Sequence, residues 1–310
     1  MSIVYYRVEP EMTEAPRFIT EPEIRSRLTF ETLIPAMRQA LIHFSTGRMQ
    51  QPVRTVLKVA PHDGWFGVMP AVTPEVFGAK LVTFFPGNAG KRHTHMATIQ
   101  LFRAETGEPI AVMDGRLITE MRTAAVSAVA TELLAPKTTP VLAILGSGVQ
   151  AHSHLKALRL VRSFDEVRVW SRTRANAEAF AEVTGTKAMA TAEAAVRGAS
   201  VVVTVTSAIE PILKGEWLDP NAYVNAVGSC TPDRRELDNR AMSGRLVVES
   251  REAARRESGD AIHSGATFHA ELGELLAREE PPEAGPRFVF KSLGIAVEDI
   301  AAAWLVYASI

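Results

Sequence analysis

The chain has 310 residues, 46% of them hydrophobic and 22% charged, which is apolar material for two soluble cores rather than one. A formal net charge of -1 excludes an electrostatic pull toward nucleic acid or membrane, and no run approaches the ~20 apolar residues of a bilayer span. One cysteine, Cys230, has no internal disulfide partner, and Met1 to Phe18 hold Glu9, Glu11 and Glu14 instead of an apolar signal core, so a cytoplasmic protein is expected.

Thr20-Glu21-Pro22-Glu23 reads as a capping box that opens a short helix. A second helix follows, with Leu33, Met37, Leu41 and Phe44 at helical spacing and Gly47 at its end. The pattern then changes to strands. Val53 to Ala60 and Trp65 to Ala71 flank the hairpin signal His62-Asp63-Gly64, and further strands are predicted at 79–85, 96–103 and 109–114. Short turns between strands predict an antiparallel or mixed sheet.

An alanine-rich helix is predicted from Leu117 to Leu134, stopped by Pro136. It leads into the most informative run, Val141 to Leu145 followed by Gly146-Ser147-Gly148-Val149-Gln150-Ala151. An apolar strand, a glycine turn and a helix start in succession bring bare amides and a helix N-terminus to a pyrophosphate. Gly146 permits the tight turn, Gly148 has no side chain to block the phosphates, and Ala151 takes the small packing position. Strands at 166–171, 200–206, 222–227 and 246–249 then alternate with helical segments such as 174–183, the rhythm of a doubly wound parallel sheet of Rossmann type. The fold class is therefore α/β, with an N-terminal mixed α+β unit before that sheet. Residues 295–310 form a terminal helix with no linker before it.

The end of the second parallel strand selects between dinucleotides. NAD binders usually place a carboxylate there for the ribose hydroxyls. Here the run is Trp170-Ser171-Arg172-Thr173-Arg174-Ala175-Asn176. No carboxylate is present, Arg172 suits a phosphate, and Ser171, Thr173 and Asn176 can donate to one, which predicts NADPH with NADH weaker. The competing reading is a solvated helix start with Arg172 and Arg174 facing water.

Three cations stand in unusual company. Arg54 lies in the first strand, Lys80 opens Leu81-Val82-Thr83-Phe84-Phe85, and Arg122 precedes Thr123-Ala124-Ala125-Val126. Singly each reads as a surface charge. A cation entering an apolar segment needs a partner, and an anionic substrate would be one. Metal is not expected. His93 and His95 lack a third ligand, and His152 and His154, two apart on a helix, point to different faces. His263 and His269 read as ordinary helix or loop residues.

Arg122 to Ala128, Gly146 to Ala151 and Ser171-Arg172-Thr173 together resemble the ornithine cyclodeaminase/mu-crystallin family. The likeness covers nearly the whole chain. It continues through Gln51 to Thr55, Val112 to Gly115, Asn225 to Gly228, Glu257 to Asp260 and Phe290 to Gly294, with the ketimine-reductase branch the nearer. The resemblance implies a substrate-binding and dimerisation domain of residues 1–118 plus 295–310, an NADP-binding domain of residues 119–294, and a homodimer joined through the N-terminal sheets. It implies that Arg54, Lys80 and Arg122 hold a substrate carboxylate near Glu257. Thr94, His95, Arg122 and Thr123 would approach the cofactor. Gly146, Ser147, Gly148, Val149 and Gln150 would form the phosphate turn, with Ser171, Arg172, Thr173 and Asn176 at the adenosine phosphate. Thr206, Ser207, Val227 and Ser292 would line the nicotinamide side.

One departure separates branches. Cyclodeaminases carry an aspartate just after the Val-Gly pair, where this chain reads Gly228-Ser229-Cys230-Thr231-Pro232-Asp233 and has Cys230 at that position; Asp233 reads as a turn residue. The expected reaction is hydride transfer from NADPH to the C=N carbon of a cyclic or N-substituted imine beside a carboxylate. Lys80 is the candidate for proton handling, with a purely electrostatic role the alternative. Competing functions are an alanine- or opine-type dehydrogenase, an ornithine cyclodeaminase, and a non-catalytic ligand-binding protein.

Overall fold

The computed structural model describes residues 15–278 and 285–310, so the reading of Glu9, Glu11 and Glu14 lies outside the described residues. After strand β1 (Arg17–Ile19), the Glu23 carboxylate accepts from the Thr20 N–H at 2.8 Å and its hydroxyl at 2.7 Å, and helix α1 (Glu21–Arg25) starts as predicted. Helix α2 (Phe30–Ser45) buries Leu33, Met37 and Leu41 at its helical spacing, and Gly47 leaves it at φ 75°.

The next five strands are β2 (Thr55–Val59), β3 (Gly64–Val72), β4 (Val76–Phe84), β5 (His95–Arg103) and β6 (Pro109–Asp114). They pair antiparallel in sequence order, because short turns return the chain directly. Asp63, at φ 49°, turns the first hairpin. β1 adds in parallel beside β6, so the six-stranded sheet is mixed. Helix α3 (Arg116–Leu134) is buried almost all round, and its small Ala and Val side chains let α2 and α4 pack close on either side.

The second sheet has eight strands, all parallel. In chain order the elements are β7 (Val141–Leu145), α4 (Val149–Val161), β8 (Glu166–Trp170), α5 (Arg174–Thr184), β9 (Lys187–Ala188), α6 (Ala192–Val196), β10 (Val201–Thr204) and β11 (Tyr223–Ala226). There follow β12 (Arg245–Val248), α7 (Arg251–Glu257), α8 (Gly259–Ser264), β13 (Phe268–Glu271), α9 (Leu272–Leu276), β14 (Phe288–Lys291) and α10 (Ala296–Tyr307). The spatial order is β13-β12-β14-β11-β10-β7-β8-β9. β1, α6 to α9, β9, β13 and β14 carry no periodic signal in the sequence because each is too short to complete one. β14 is the informative omission: four buried residues near the middle of the sheet, one of them Lys291, whose ammonium lies 3.2 Å from buried Asp260.

One apolar cluster runs from α2 and the mixed sheet through α3 and α10 to one face of the parallel sheet; a second fills its opposite face. α10 packs over β3, β4 and β5. The end of the chain is thereby carried back onto the mixed sheet, beside Lys80.

Candidate active site

The register of the parallel sheet aligns Leu145, Trp170, Thr204, Ala226 and Lys291 in one row. The residues after each leave the sheet at the same carboxyl edge. Gly146 to Gln150, Ser171 to Asn176, Thr206 and Ser207, Val227 to Cys230, and Ser292 to Gly294 are so brought together from five separate parts of the chain. β7 lies between β8 and β10, where the order of connections reverses and α/β sheets bind ligands.

The turn fits a dinucleotide. Gly146 sits at φ 125°, and a Cβ there would lie 2.7 Å from the Val205 carbonyl oxygen, so only glycine is tolerated. At Gly148, the N-cap of α4, nothing stands within 4 Å of a Cβ position, leaving amides open to a ligand. Gln150 Oε1 is buried there without a hydrogen-bond partner among the described residues. Ser147 is half-buried and Val149 exposed in the same turn. Beyond β8, Arg172, Thr173 and Asn176 are exposed and Ser171 half-buried. Arg174 is engaged by Glu178 at 2.7 Å, while Arg172 has no partner among the described residues.

Each of the three cations finds a carboxylate partner inside the protein. Lys80 and Arg122 converge on one carboxylate, the protein's own Asp299: Lys80 Nζ is 2.7 Å from Oδ2, and Arg122 Nε donates to Oδ1 at 2.9 Å. Arg122 Nη1 also donates to Glu298 at 2.8 Å, and Arg54 Nε pairs with Glu257 at 2.9 Å. These carboxylates lie far along the sequence, on α7 and α10, where spacing gives no hint of them. Arg54 Nη2 donates to the carbonyls of Leu293 and Gly294, both at 2.8 Å. A Cβ on Gly294 would meet Arg122 Nη1 at 2.4 Å, so the two guanidinium groups flank this glycine. Among the described residues, Arg54 Nη1 and Arg122 Nη2 keep no protein partner.

Burial pushes the Lys80 ammonium down to about 8; Asp299 holds it up, and Arg122 and Arg54 press it lower. Burial also disfavours the Arg122 charge, but Asp299, Glu298 and Glu249 more than offset this and raise it. Burial raises Asp299, yet Arg122 and Lys80 outweigh it and hold it below the usual carboxylate range. Glu257 and Glu298 are both raised, by burial first, and each keeps one buried oxygen without a hydrogen-bond partner among the described residues.

Thr94 lies just before β5, its carbonyl accepting from the Phe85 N–H, and His95 opens β5 opposite Phe84, on whose ring it packs at 4.5 Å; burial and then the Lys80 charge lower the His95 pKa. Thr123 is spent within α3, donating to the Thr119 carbonyl at 2.7 Å. Ser292 is likewise committed, donating to Glu249 at 2.7 Å, so its hydroxyl serves the loop before it can serve a ligand. Thr206 and Gly228 are held by a residue the sequence does not single out. The buried Glu236 carboxylate accepts from Thr204 Oγ1, Thr206 N, Thr206 Oγ1 and Gly228 N, each at 2.7 Å. Ser207 and Cys230 are exposed, Val227 half-buried, and Asp233 sits in an exposed turn.

His154 is buried between Ser127 Oγ and the Gln150 carbonyl, and burial lowers it to about 4, whereas His152 packs on Phe180. His263 reaches the Pro232 carbonyl from α8, and His269 lies in β13 rather than in a helix or loop. Among the described residues, no group of three or more His, Cys, Asp or Glu side chains is arranged to hold a metal ion, and no helix is long and apolar enough to cross a membrane.

A doubly wound sheet with this glycine turn, joined to a buried cation site, defines the class: the protein is an enzyme, a nicotinamide-dependent oxidoreductase. The chain belongs to the ornithine cyclodeaminase/mu-crystallin family, whose profile matches residues 15–310. Ketimine reductase mu-crystallin of Mus musculus is 48% identical over 308 residues, covering 96% of this chain and 98% of its own. The Thermococcus litoralis Delta(1)-pyrroline-2-carboxylate reductase, solved with NADH and L-proline, superposes with a TM-score of 0.88 at 32% identity, over 94% of this chain and 96% of that one. An archaeal alanine dehydrogenase dimer with bound NAD gives 0.88 at 31% identity, over 94% and 95%.

Proposed function

We propose that the protein is an NADPH-dependent imine reductase acting on the C=N bond of a cyclic or N-substituted imine that carries an adjacent carboxylate. The observation that carries this reading is the meeting of Arg54 and Arg122 at Gly294, in the segment that leaves the parallel sheet beside the glycine turn. Anion-binding groups and the dinucleotide edge thus share one loop. The named activities of the mouse and Thermococcus relatives support imine chemistry.

Gly146 to Gln150 would hold the pyrophosphate, and Ser171, Arg172, Thr173 and Asn176 the adenosine end. Thr206, Ser207, Val227 and Ser292 would line the nicotinamide side, with Thr94, His95 and Thr123 approaching from the mixed sheet and α3. The cofactor, when bound, supplies a hydride for the imine carbon. Arg54 Nη1 and Arg122 Nη2 then bind the substrate carboxylate and orient the imine; positioning of this kind is worth ~7–11 kcal/mol. Lys80 Nζ, with a pKa of about 8, holds a proton at neutral pH and keeps the imine nitrogen protonated. Glu257 faces the same cleft beside Arg54. With exposed Cys230 where cyclodeaminases carry an aspartate, ornithine cyclisation lacks its carboxylate.

NADPH preference is supported by Arg172, exposed and unengaged at the end of β8, where no acidic residue follows. Residues 1–118 with 295–310 would form the substrate-binding domain and 119–294 the cofactor domain. A homodimer is supported by the uncovered face of the mixed sheet, where Leu57, Phe66, Val68, Leu81 and Met96 lie together opposite the α10 side. The free, exposed Cys230 fits a reducing, cytoplasmic setting.

Purified protein is expected to oxidise NADPH in the presence of piperideine- or pyrroline-2-carboxylate, and NADH more slowly. Consumption only with a keto acid plus ammonia would move the reading to reductive amination. No consumption across cyclic imine acids and keto acid–amine mixtures would overturn it.

A further inference from the structure

The first turn of α10 sets Glu298 and Asp299 side by side, and Asp299 divides its two oxygens between cations from two other elements. Oδ2 lies 2.7 Å from Lys80 Nζ on β4, and Oδ1 accepts from Arg122 Nε on α3 at 2.9 Å. Solvent is shut out: Lys80 is 2% exposed and Asp299 0%. We propose that Asp299 is a positioning residue of the reaction, aiming Lys80 and Arg122 into one site and keeping the proton on Lys80 Nζ. For its kinetic consequence the proposal rests on the imine-reductase reading; the protonation of Lys80 is measurable without substrate.

The charges around Lys80 leave Asp299 alone in this task. Arg122 and Arg54 both press the ammonium toward the neutral amine, as burial does, and His95 adds no opposing charge. Glu298 is turned to Arg122, whose Nη1 donates to it at 2.8 Å, so its carboxylate is engaged away from Lys80. Glu249 is occupied by the Ser292 hydroxyl and the amides of Leu293 and Gly294. Glu257 is paired with Arg54. One carboxylate therefore stands between Lys80 and a neutral amine.

Orientation follows from the same geometry. With Nε on Asp299 and Nη1 on Glu298, the planar Arg122 guanidinium is held at two of its three nitrogens, and among the described residues Nη2 keeps no protein partner. A planar guanidinium held at two of its nitrogens has the position of the third fixed.

Asp299→Asn preserves shape and removes the charge. In the unmodified enzyme, kcat/KM for the imine acid should fall as pH rises through about 8, because the Lys80 ammonium is lost there. In D299N that alkaline limb should move to lower pH by about one to three units, the span that an opposite charge in contact commands. KM for the imine acid should rise while KM for NADPH stays unchanged. Lys80→Arg, a cation that does not titrate, should abolish the limb.

Lysine-selective 13Cε NMR reads the same group directly, its resonance assigned by absence in K80R. The midpoint should lie near 8 in the unmodified protein and lower in D299N. A folded D299N with an unchanged midpoint overturns the proposal. If no imine acid is turned over but the midpoint moves, the reductase reading fails while the control of Lys80 by Asp299 stands. Should D299N not fold, Asp299→Glu carries the test. The added methylene displaces the carboxylate from Nζ, so a lower midpoint is expected, and an unchanged midpoint overturns the proposal.

Discussion

Gly294 shows how a residue without a side chain can organise a site. Its φ of 74° strains any other residue, and the space a Cβ would need is taken by Arg122 Nη1 at 2.4 Å. Gly294→Ala should cost roughly 1–3 kcal/mol for the backbone alone and should push Arg122 off Glu298 and Asp299. A lowered Tm with a raised KM for the imine acid is expected; unchanged values of both would remove Gly294 from the site. Under the proposed NADPH reading, Arg172 would act at the other end of the ligand. A hydrogen bond to a charged group is worth about 1.5–3 kcal/mol, so Arg172→Ala should weaken NADPH roughly 10- to 100-fold and leave NADH nearly unchanged. Equal loss for both cofactors would return Arg172 to the status of a solvated helix start.

At the scale of elements, the ends of β10 and β11 are clasped by a carboxylate from a loop. Glu236 gathers four donors, and its own N–H, with that of Leu237, donates to Asp260 Oδ1. Asp260 pairs in turn with Lys291 at the end of β14. Three neighbouring strand ends are so tied at the carboxyl edge of the sheet. An amide at position 236 cannot accept four bonds, because its nitrogen faces a donor. Glu236→Gln should therefore leave at least one buried donor unmatched, at about 1–3 kcal/mol each. Thermal unfolding should report the loss as a lower Tm, and cofactor affinity should weaken as Thr206 and Gly228 loosen. A Tm and affinity equal to those of the unmodified protein would show that the clasp is dispensable.

Across the whole molecule, the mixed sheet has two unlike faces. α10 covers one, carrying Asp299 to Lys80, while the other leaves Leu57 at 55% and Met96 at 43% exposure. A charge placed in that outer face would be desolvated on pairing with a second copy, so Leu81→Glu should convert a dimer to a monomer in sedimentation or scattering. A unmodified protein that is already monomeric would sink the dimer reading.

Much of this protein follows from sequence alone, because its signals are local. The glycine turn after Val141 to Leu145, the strand rhythm on either side of it, the capping box at Thr20 and the missing acid after Trp170 each depend on neighbours within a few residues. Backbone sterics and side-chain period act at that range, so the fold class and the glycine turn at the strand end were legible there. Short buried elements such as β14 were not, since four residues with a lysine among them carry no period. Nor were the partners of the cations. Arg54, Lys80 and Arg122 stand out as charges in apolar company, but Asp299, Glu298 and Glu257 lie 176 to 219 positions away from those they hold. Only the packing of α10 over β3 to β5 brings the carboxylates to them, and burial away from water then makes those pairs decide how the site is charged.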